Sequence, residues 1–282
     1  MYQTLFAKRP KVVEDNAVRR TVVNMTKPLI LNGTAIGGGK EPLICTSLIA
    51  KNEAELLSEL AIVVQKSPDI IEWRVDFFEE IGDVACVLSA AQKIRESAKG
   101  IPIIFTRRST LEGGETIAIN EDQVLEIYQA VCASKCVDFI DSELSRDPIH
   151  FKAALNAAHS NGIKLIASFH NFQLTPSKAE IVEKFVLAEK MGADIAKVAV
   201  MPRVIDDVLT LLSATIEGNR TIKLPIISMS MGPFGSLSRL FGWALGSSVT
   251  FAVCNKASAP GQVPIAELRT VLEIVHRSLM PK

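Results

Sequence analysis

Eight short runs of apolar, largely β-branched residues recur between residues 43 and 254: LICTSLI (43–49), DIIEWRV (69–75), IPIIFTR (101–107), VDFIDSE (137–143), IKLIASFH (163–170), DIAKVAV (194–200), LPIISMS (224–230) and VTFAVC (249–254). They begin about 25–36 residues apart, the length of one strand plus one returning helix. The stretches between them carry helix signals. Asn52 with Glu55 three residues on has the capping-box pattern, and Thr175–Pro176 offers an N-cap and a proline at the first helical position. Ile181, Val182, Phe185 and Val186 then recur at helical spacing, and Gly192 follows as a stop. Eight such units predict an α/β fold of the (β/α)8 TIM-barrel kind, for which 282 residues is a fitting length. The main rival, a doubly wound open sheet, usually has fewer strands and a G-x-G-x-x-G turn after the first. No such turn follows residue 49.

Upstream of the first run, the "NG" at 32–33 sits between two apolar pieces and predicts a short β-hairpin that closes one end of the barrel. "GGGK" (37–40) lacks the spacing and the following Ser or Thr of a phosphate loop, and reads as a flexible turn. Residues 1–26 are expected to form an N-terminal extension outside the barrel, and residues 27–282 a single catalytic domain. Glu14 and Asp15 argue against a transit peptide, and no apolar core of a signal peptide is present. No run approaches the ~20 apolar residues needed to span a bilayer. Thirty-one basic and 31 acidic residues balance, so nothing steers the chain to nucleic acid or an anionic membrane. The odd cysteine count, with Cys132 and Cys136 read as helix-face residues, fits a reducing cytoplasm and no zinc framework.

In a barrel of this kind, the site lies at the C-terminal ends of the strands. Residues two apart on a strand share a face, so the rim can be read directly. It gathers Glu72 and Arg74, then Arg107, Arg108 and Glu112, then Ser168 and His170. Lys197, Ser228, Ser230, Arg239, Ser258 and Gln262 complete it. His150, His159 and His276 fall in helical or peripheral stretches, and one inward histidine does not make a metal site.

Lys197 is the odd member, an ammonium inside the apolar run DIAKVAV. A lysine in a dry, cation-rich pocket is expected to have a lowered pKa and to act as a nucleophile toward carbonyls, which points to Schiff-base chemistry. A histidine on the neighbouring strand could shuttle the proton that an iminium acidifies, with Glu112 orienting it. Three arginines could grip a carboxylate. These residues suit a cofactor-free lysine enzyme acting on a keto acid, either an aldolase or a dehydratase. A non-catalytic barrel is the third alternative, and it would be expected to lack one of Lys197, His170 and Arg239.

The motifs EWRVD (72–76), FTRRSTLEGGE (105–115), SFHNF (168–172), KVAVMP (197–202), SMGPFGSLSR (230–239) and ASAPGQ (257–262) resemble those of type I 3-dehydroquinate dehydratases, in family order, over about residues 30–280. The resemblance implies a cytoplasmic homodimer that converts 3-dehydroquinate to 3-dehydroshikimate in the shikimate pathway, with a small-molecule substrate as its only other partner. It also implies that Lys197 is the Schiff-base lysine, His170 the general acid and base, and Glu112 the carboxylate that orients it. Arg239 would grip the substrate carboxylate with Ser258 and Gln262. Glu72, Arg74, Arg108 and Ser47 would contact the ring's polar groups, and Phe172, Met229, Met231 and Phe251 would form apolar walls. The segments 231–239 and 257–263 are expected to close over ligand. The fused shikimate dehydrogenase of plant relatives is not expected here.

Overall fold

A computed structural model describes residues 26–31, 33–38, 42–254 and 257–279. A two-stranded antiparallel hairpin, β1 (Leu29–Leu31) and β2 (Thr34–Ile36), precedes eight parallel strands. These are β3 (Leu43–Leu48), β4 (Ile70–Arg74), β5 (Ile103–Thr106), β6 (Phe139–Glu143), β7 (Lys164–Asn171), β8 (Ile195–Val200), β9 (Ile226–Ser230) and β10 (Val249–Ala252). The helices are α1 (Glu53–Gln65), α2 (Val84–Ser97), α3 (Glu121–Ser134), α4 (Pro148–Ser160), α5 (Lys178–Lys190), α6 (Ile205–Thr221), α7 (Ser236–Phe241) and α8 (Ile265–Leu279). The eight apolar runs therefore match the eight barrel strands to within about two residues at each end. Strand order runs β10-β3-β4-β5-β6-β7-β8-β9. The remaining seam is closed by a parallel bridge of Ile226 to Ser247 and by the Ser248 N–H donating to the Ile226 carbonyl at 2.7 Å.

Alternation along the strands sorts the barrel into two apolar layers. Outward residues pack under the helices, where Trp73, Phe105 and Tyr128 meet edge to face at 5.4 and 5.7 Å. Inward residues Cys45, Ile70, Ile104, Phe139, Ile166, Ile195, Ile227 and Val249 form a floor across the interior. Leu29, Leu31 and Ile36 of the hairpin pack against this floor from the N-terminal end, as a plug. Above the floor, the next inward positions turn polar on β3 to β8 (Ser47, Glu72, Thr106, Asp141, Ser168 and Lys197), and that change of character places the site.

Several local expectations shift. Asn52 caps α1, accepting the Glu55 N–H at 3.0 Å, while the Glu55 carboxylate reaches the Lys51 N–H rather than closing a box on Asn52. Helix α5 is capped by Ser177 and not by Thr175. Ser177 and Glu180 close a reciprocal capping box, and the Thr175 hydroxyl instead donates to the Met201 carbonyl at 3.1 Å. Residues 1–25 of the expected extension lie outside the described residues, as do Gly39 and Lys40 of the glycine turn. Thr26 is already buried, and the Lys27 N–H donates to the Lys223 carbonyl at 2.8 Å. Among the described residues no helix is long and apolar enough to cross a membrane.

Candidate active site

Lys197 points inward from β8 and is 4% exposed. Its Nζ lies 3.0 Å from Asp141 Oδ2 and 3.3 Å from Glu72 Oε1, and 4.7 Å from the centre of the Phe251 ring. The nearest charges are thus carboxylates: Glu72 is the counter-charge the sequence offers beside a cation-rich pocket, and Asp141 is a second. Burial alone would make such an amine costly, and pairing across the barrel offsets that cost. Burial raises the carboxyl of Asp141, but Arg108 and Lys197 outweigh it and hold it down at about 2. Glu72 is likewise held below the usual carboxylate range, as Lys197, Arg74 and the Ser47 hydroxyl overcome its burial.

His170 ends β7, on the strand beside Lys197. Its Nδ1 and its backbone N–H both lie 2.9 Å from Glu112 Oε2. Glu112 sits in the single helical turn Thr110–Glu112 after β5. That turn folds back because Gly113 takes a left-handed φ of +82° and Gly114 presses on the Arg108 carbonyl, where a Cβ would come within 2.0 Å. Burial, then Arg108, Lys197 and Arg74, push the imidazole well below its ordinary value, so it stands neutral. With Nδ1 donating to the carboxylate, Nε2 is left as an acceptor with no hydrogen bond among the described residues. Burial and the neighbouring Glu143 raise Glu112 to about 7.

The arginines divide by partner. Arg74 is clamped by Asp76 at 2.8 and 2.7 Å. Arg108 donates to Asp141 at 2.8 Å, Glu143 at 3.1 Å and the Ser168 hydroxyl at 2.8 Å, and stands 3.7 Å from Glu112. Arg107 turns outward to Glu121. Arg239, on α7, has no carboxylate partner among the described residues. It is 2% exposed and donates to the Phe251 carbonyl at 3.3 Å, the Pro260 carbonyl at 3.2 Å and the Met229 sulfur at 3.7 Å. Its Nε lacks a partner, and burial lowers the guanidinium to about 10. Of the three arginines expected to meet a carboxylate, Arg74 and Arg108 pair with carboxylates of the protein, and all three line the cavity.

Ser258 and Gln262 join the same cavity from the loop after β10. Gln262 bonds both the Ser258 N–H and hydroxyl, and the Ser258 hydroxyl donates to Ser47 at 2.9 Å. Ser47 passes the chain on to Glu72 at 2.6 Å. Ser47 stands behind the cavity wall, whereas Glu72, Arg74, Arg108, Glu112, His170, Lys197, Arg239, Ser258 and Gln262 line it together with Phe172, Met229, Met231 and Phe251. Ser228 and Ser230, expected at the rim, face outward. Ser228 bonds Thr215 of α6 and the Ser230 N–H bonds Ser238, because inward parity on β9 belongs to Ile227, Met229 and Met231.

Asp141, Glu143 and Ser145 are the site-forming residues the sequence reading passed over. The first two carry a visible signal, since Phe139, Asp141 and Glu143 alternate on the inward face of β6. Ser145 lies in the following loop, where no period operates; its hydroxyl donates to Glu112 Oε1 at 2.7 Å.

A buried lysine, a neutral histidine on the next strand and one unpaired guanidinium facing a common cavity have the parts of an imine-forming enzyme for an anionic carbonyl substrate. The family model for type I 3-dehydroquinase matches residues 44–278. The chain belongs to the type I 3-dehydroquinase family. It is 59% identical over 255 residues to a 3-dehydroquinate dehydratase of Aromatoleum aromaticum, covering 90% of this chain and 98% of the relative. The crystal structure of the 3-dehydroquinate dehydratase of Geobacillus kaustophilus superimposes with a TM-score of 0.88 at 42% identity, covering 92% of this chain and all of that one. The type I enzyme of Clostridium difficile aligns with a TM-score of 0.86 at 38% identity, covering 90% and 99%.

Proposed function

We propose that this protein, in residues 27–282, dehydrates 3-dehydroquinate to 3-dehydroshikimate in the shikimate pathway, by syn elimination through a Schiff base on Lys197. The observation that carries this reading is the placement of Lys197 Nζ and His170 on adjacent strands facing one cavity, with Arg239 as the arginine there that lacks a carboxylate among the described residues. Lys197 Nζ adds to the C3 ketone and water departs, leaving an iminium. That iminium draws electrons from C2, so His170 Nε2 takes the C2 proton and an enamine forms. The same imidazole, now protonated and held by Glu112, returns the proton to the departing C1 hydroxyl. One base working on one face accounts for the syn course. Water then hydrolyses the product iminium and restores the amine. The protein-bound imine is itself the electron sink, so the reaction needs no cofactor.

Arg239, with Ser258 and Gln262, binds the substrate carboxylate, which supplies the anion its unpartnered Nε lacks. Glu72, Arg74 and Arg108 face the ring hydroxyls, and Ser47 steadies Glu72. Met229, Met231 and Phe251 exclude water from the imine. The direct test is turnover: 3-dehydroquinate added to the purified protein should yield an ultraviolet-absorbing conjugated enone. No enone at any pH between about 6 and 9 removes this reading.

The reading extends to a cytoplasmic homodimer. Ile205 and Leu209 on α6 and Phe234, Leu237 and Phe241 on and beside α7 are each at least 40% exposed and repeat at helical spacing on neighbouring helices. Such a face holds on the order of 500 Å² of bare apolar side chain. Two facing copies, with their rims, reach the lower end of a standard interface.

A further inference from the structure

We propose that Glu143 and Ser145 are positioning residues that act on the reaction through Glu112. Glu143 draws Arg108 away from Glu112, and the Ser145 hydroxyl fixes the carboxylate oxygen that His170 leaves unused. This rests on the assignment of His170 as the proton carrier, held by Glu112.

The geometry divides the Glu112 carboxylate cleanly. Oε2 accepts the two N–H groups of His170 at 2.9 Å, and Oε1 accepts only the Ser145 hydroxyl at 2.7 Å. Arg108 is the nearest cation and would be its natural partner. Its Nη1, however, is drawn to Glu143 Oε1 at 3.1 Å and stands 3.7 Å from Glu112. Glu143 is held in that place by a second donor, the Ser109 N–H at 2.8 Å, on the very turn that carries Glu112. Two buried carboxylates thus share one guanidinium arm, and the shorter bond goes to Glu143.

The charged groups of the dyad and its surroundings come from five strands and their loops. Facing Glu112 are Arg108 from the end of β5, Asp141 and Glu143 from β6, and His170 from β7. Facing His170 are Arg108, Lys197 from β8 and Arg74 from β4. Of these, Glu143 and, more weakly, Asp141 disfavour an ionised Glu112, and Glu143 is the one that shares an arm of Arg108 with it. Ser145 is the group outside the dyad that favours it by direct hydrogen bonding.

The two side chains therefore pull in opposite senses on the same proton. Glu112 and His170 titrate as a pair, and the base-competent form is neutral imidazole beside ionised carboxylate. Removing the Glu143 charge makes that form accessible at lower pH. Removing the Ser145 hydroxyl makes it accessible only at higher pH.

The test is the pH dependence of kcat/KM together with the 15N NMR titration of His170, assigned by loss of its signal in His170→Asn. Glu143→Gln retains an oxygen to accept from Arg108 and Ser109, so it removes charge alone. It should move the acid limb, and the NMR titration, down by about one pH unit. Ser145→Ala should move both up by about half a unit, and Ser145→Thr should restore the wild-type profile. Shifts of the same sign, or no shift in either variant, overturn the proposal. The NMR arm needs no turnover. If wild-type protein does not dehydrate 3-dehydroquinate, the functional reading falls while the dyad's titration still decides this one.

Discussion

Replacing Arg239 by methionine should stabilise the free protein while crippling the enzyme. Arg239 is 2% exposed, its Nε has no partner, and its other hydrogen bonds go to two carbonyls and a thioether. Burial lowers the guanidinium to about 10. That depression corresponds to about 3 kcal/mol of uncompensated desolvation. For a base whose pKa falls on folding, this cost is fully present below about pH 10 and is relieved only as pH rises above it. Methionine removes the cost but strips a donor from the Phe251 and Pro260 carbonyls, at about 1 kcal/mol each. The net gain is about 1 kcal/mol, or roughly 2–4 °C in Tm for a domain of this size. Substrate binding should move the other way. Losing one partner of a buried charge pair costs about 2–5 kcal/mol, so kcat/KM should fall about 30- to 5,000-fold. Thermal unfolding without ligand and steady-state kinetics measure the two effects. A Tm lowered by several degrees, or a kcat/KM within about threefold of wild type, would refute the view of Arg239 as a cation stored for an anionic substrate.

Three other consequences can be checked separately. A Cβ at Gly261 would lie 2.1 Å from the Gly232 carbonyl, and φ there is +79°, so Gly261→Ala should part the loop bearing Gln262 from the segment that leads into α7 and Arg239. KM should rise about tenfold or more while the imine still forms at saturation; an unchanged KM argues against loop closure. Asp141, held at about 2, carries roughly 2 kcal/mol of stability above its unfolded pKa of ordinary value, lost as pH falls toward 2. Asp141→Asn should therefore flatten the acid limb of the urea-unfolding free energy below about pH 4, and an identical slope would contradict this. The wild type should sediment as a dimer and Leu209→Glu with Phe241→Glu as a folded monomer; a variant that stays dimeric places the interface elsewhere.

The barrel was legible because two periods operate at once, a strand's alternation and a helix's 3.6. Ile166, Ser168 and His170, or Ile195 and Lys197, show in the sequence which side chains look inward. The same rule misled at β9, where Ser228 and Ser230 drew attention as polar residues although the inward face belongs to Met229 and Met231. It was available but unused at β6, where Asp141 and Glu143 alternate with outward residues. What no period reveals is pairing. That Arg74 and Arg108 are spent on Asp76, Asp141 and Glu143, leaving Arg239 alone, depends on distances between strands far apart in sequence. Ser145 and the Glu112 turn lie in loops, where local sequence sets neither facing nor partner.

The lysine inside DIAKVAV is the centre of the account, and reductive trapping tests it most directly. Borohydride added with 3-dehydroquinate should leave one covalent adduct, and peptide mapping should place it on Lys197. His170→Ala should still trap the adduct while turning over very slowly. An adduct on any other residue, or full turnover with no trappable adduct, would contradict the account.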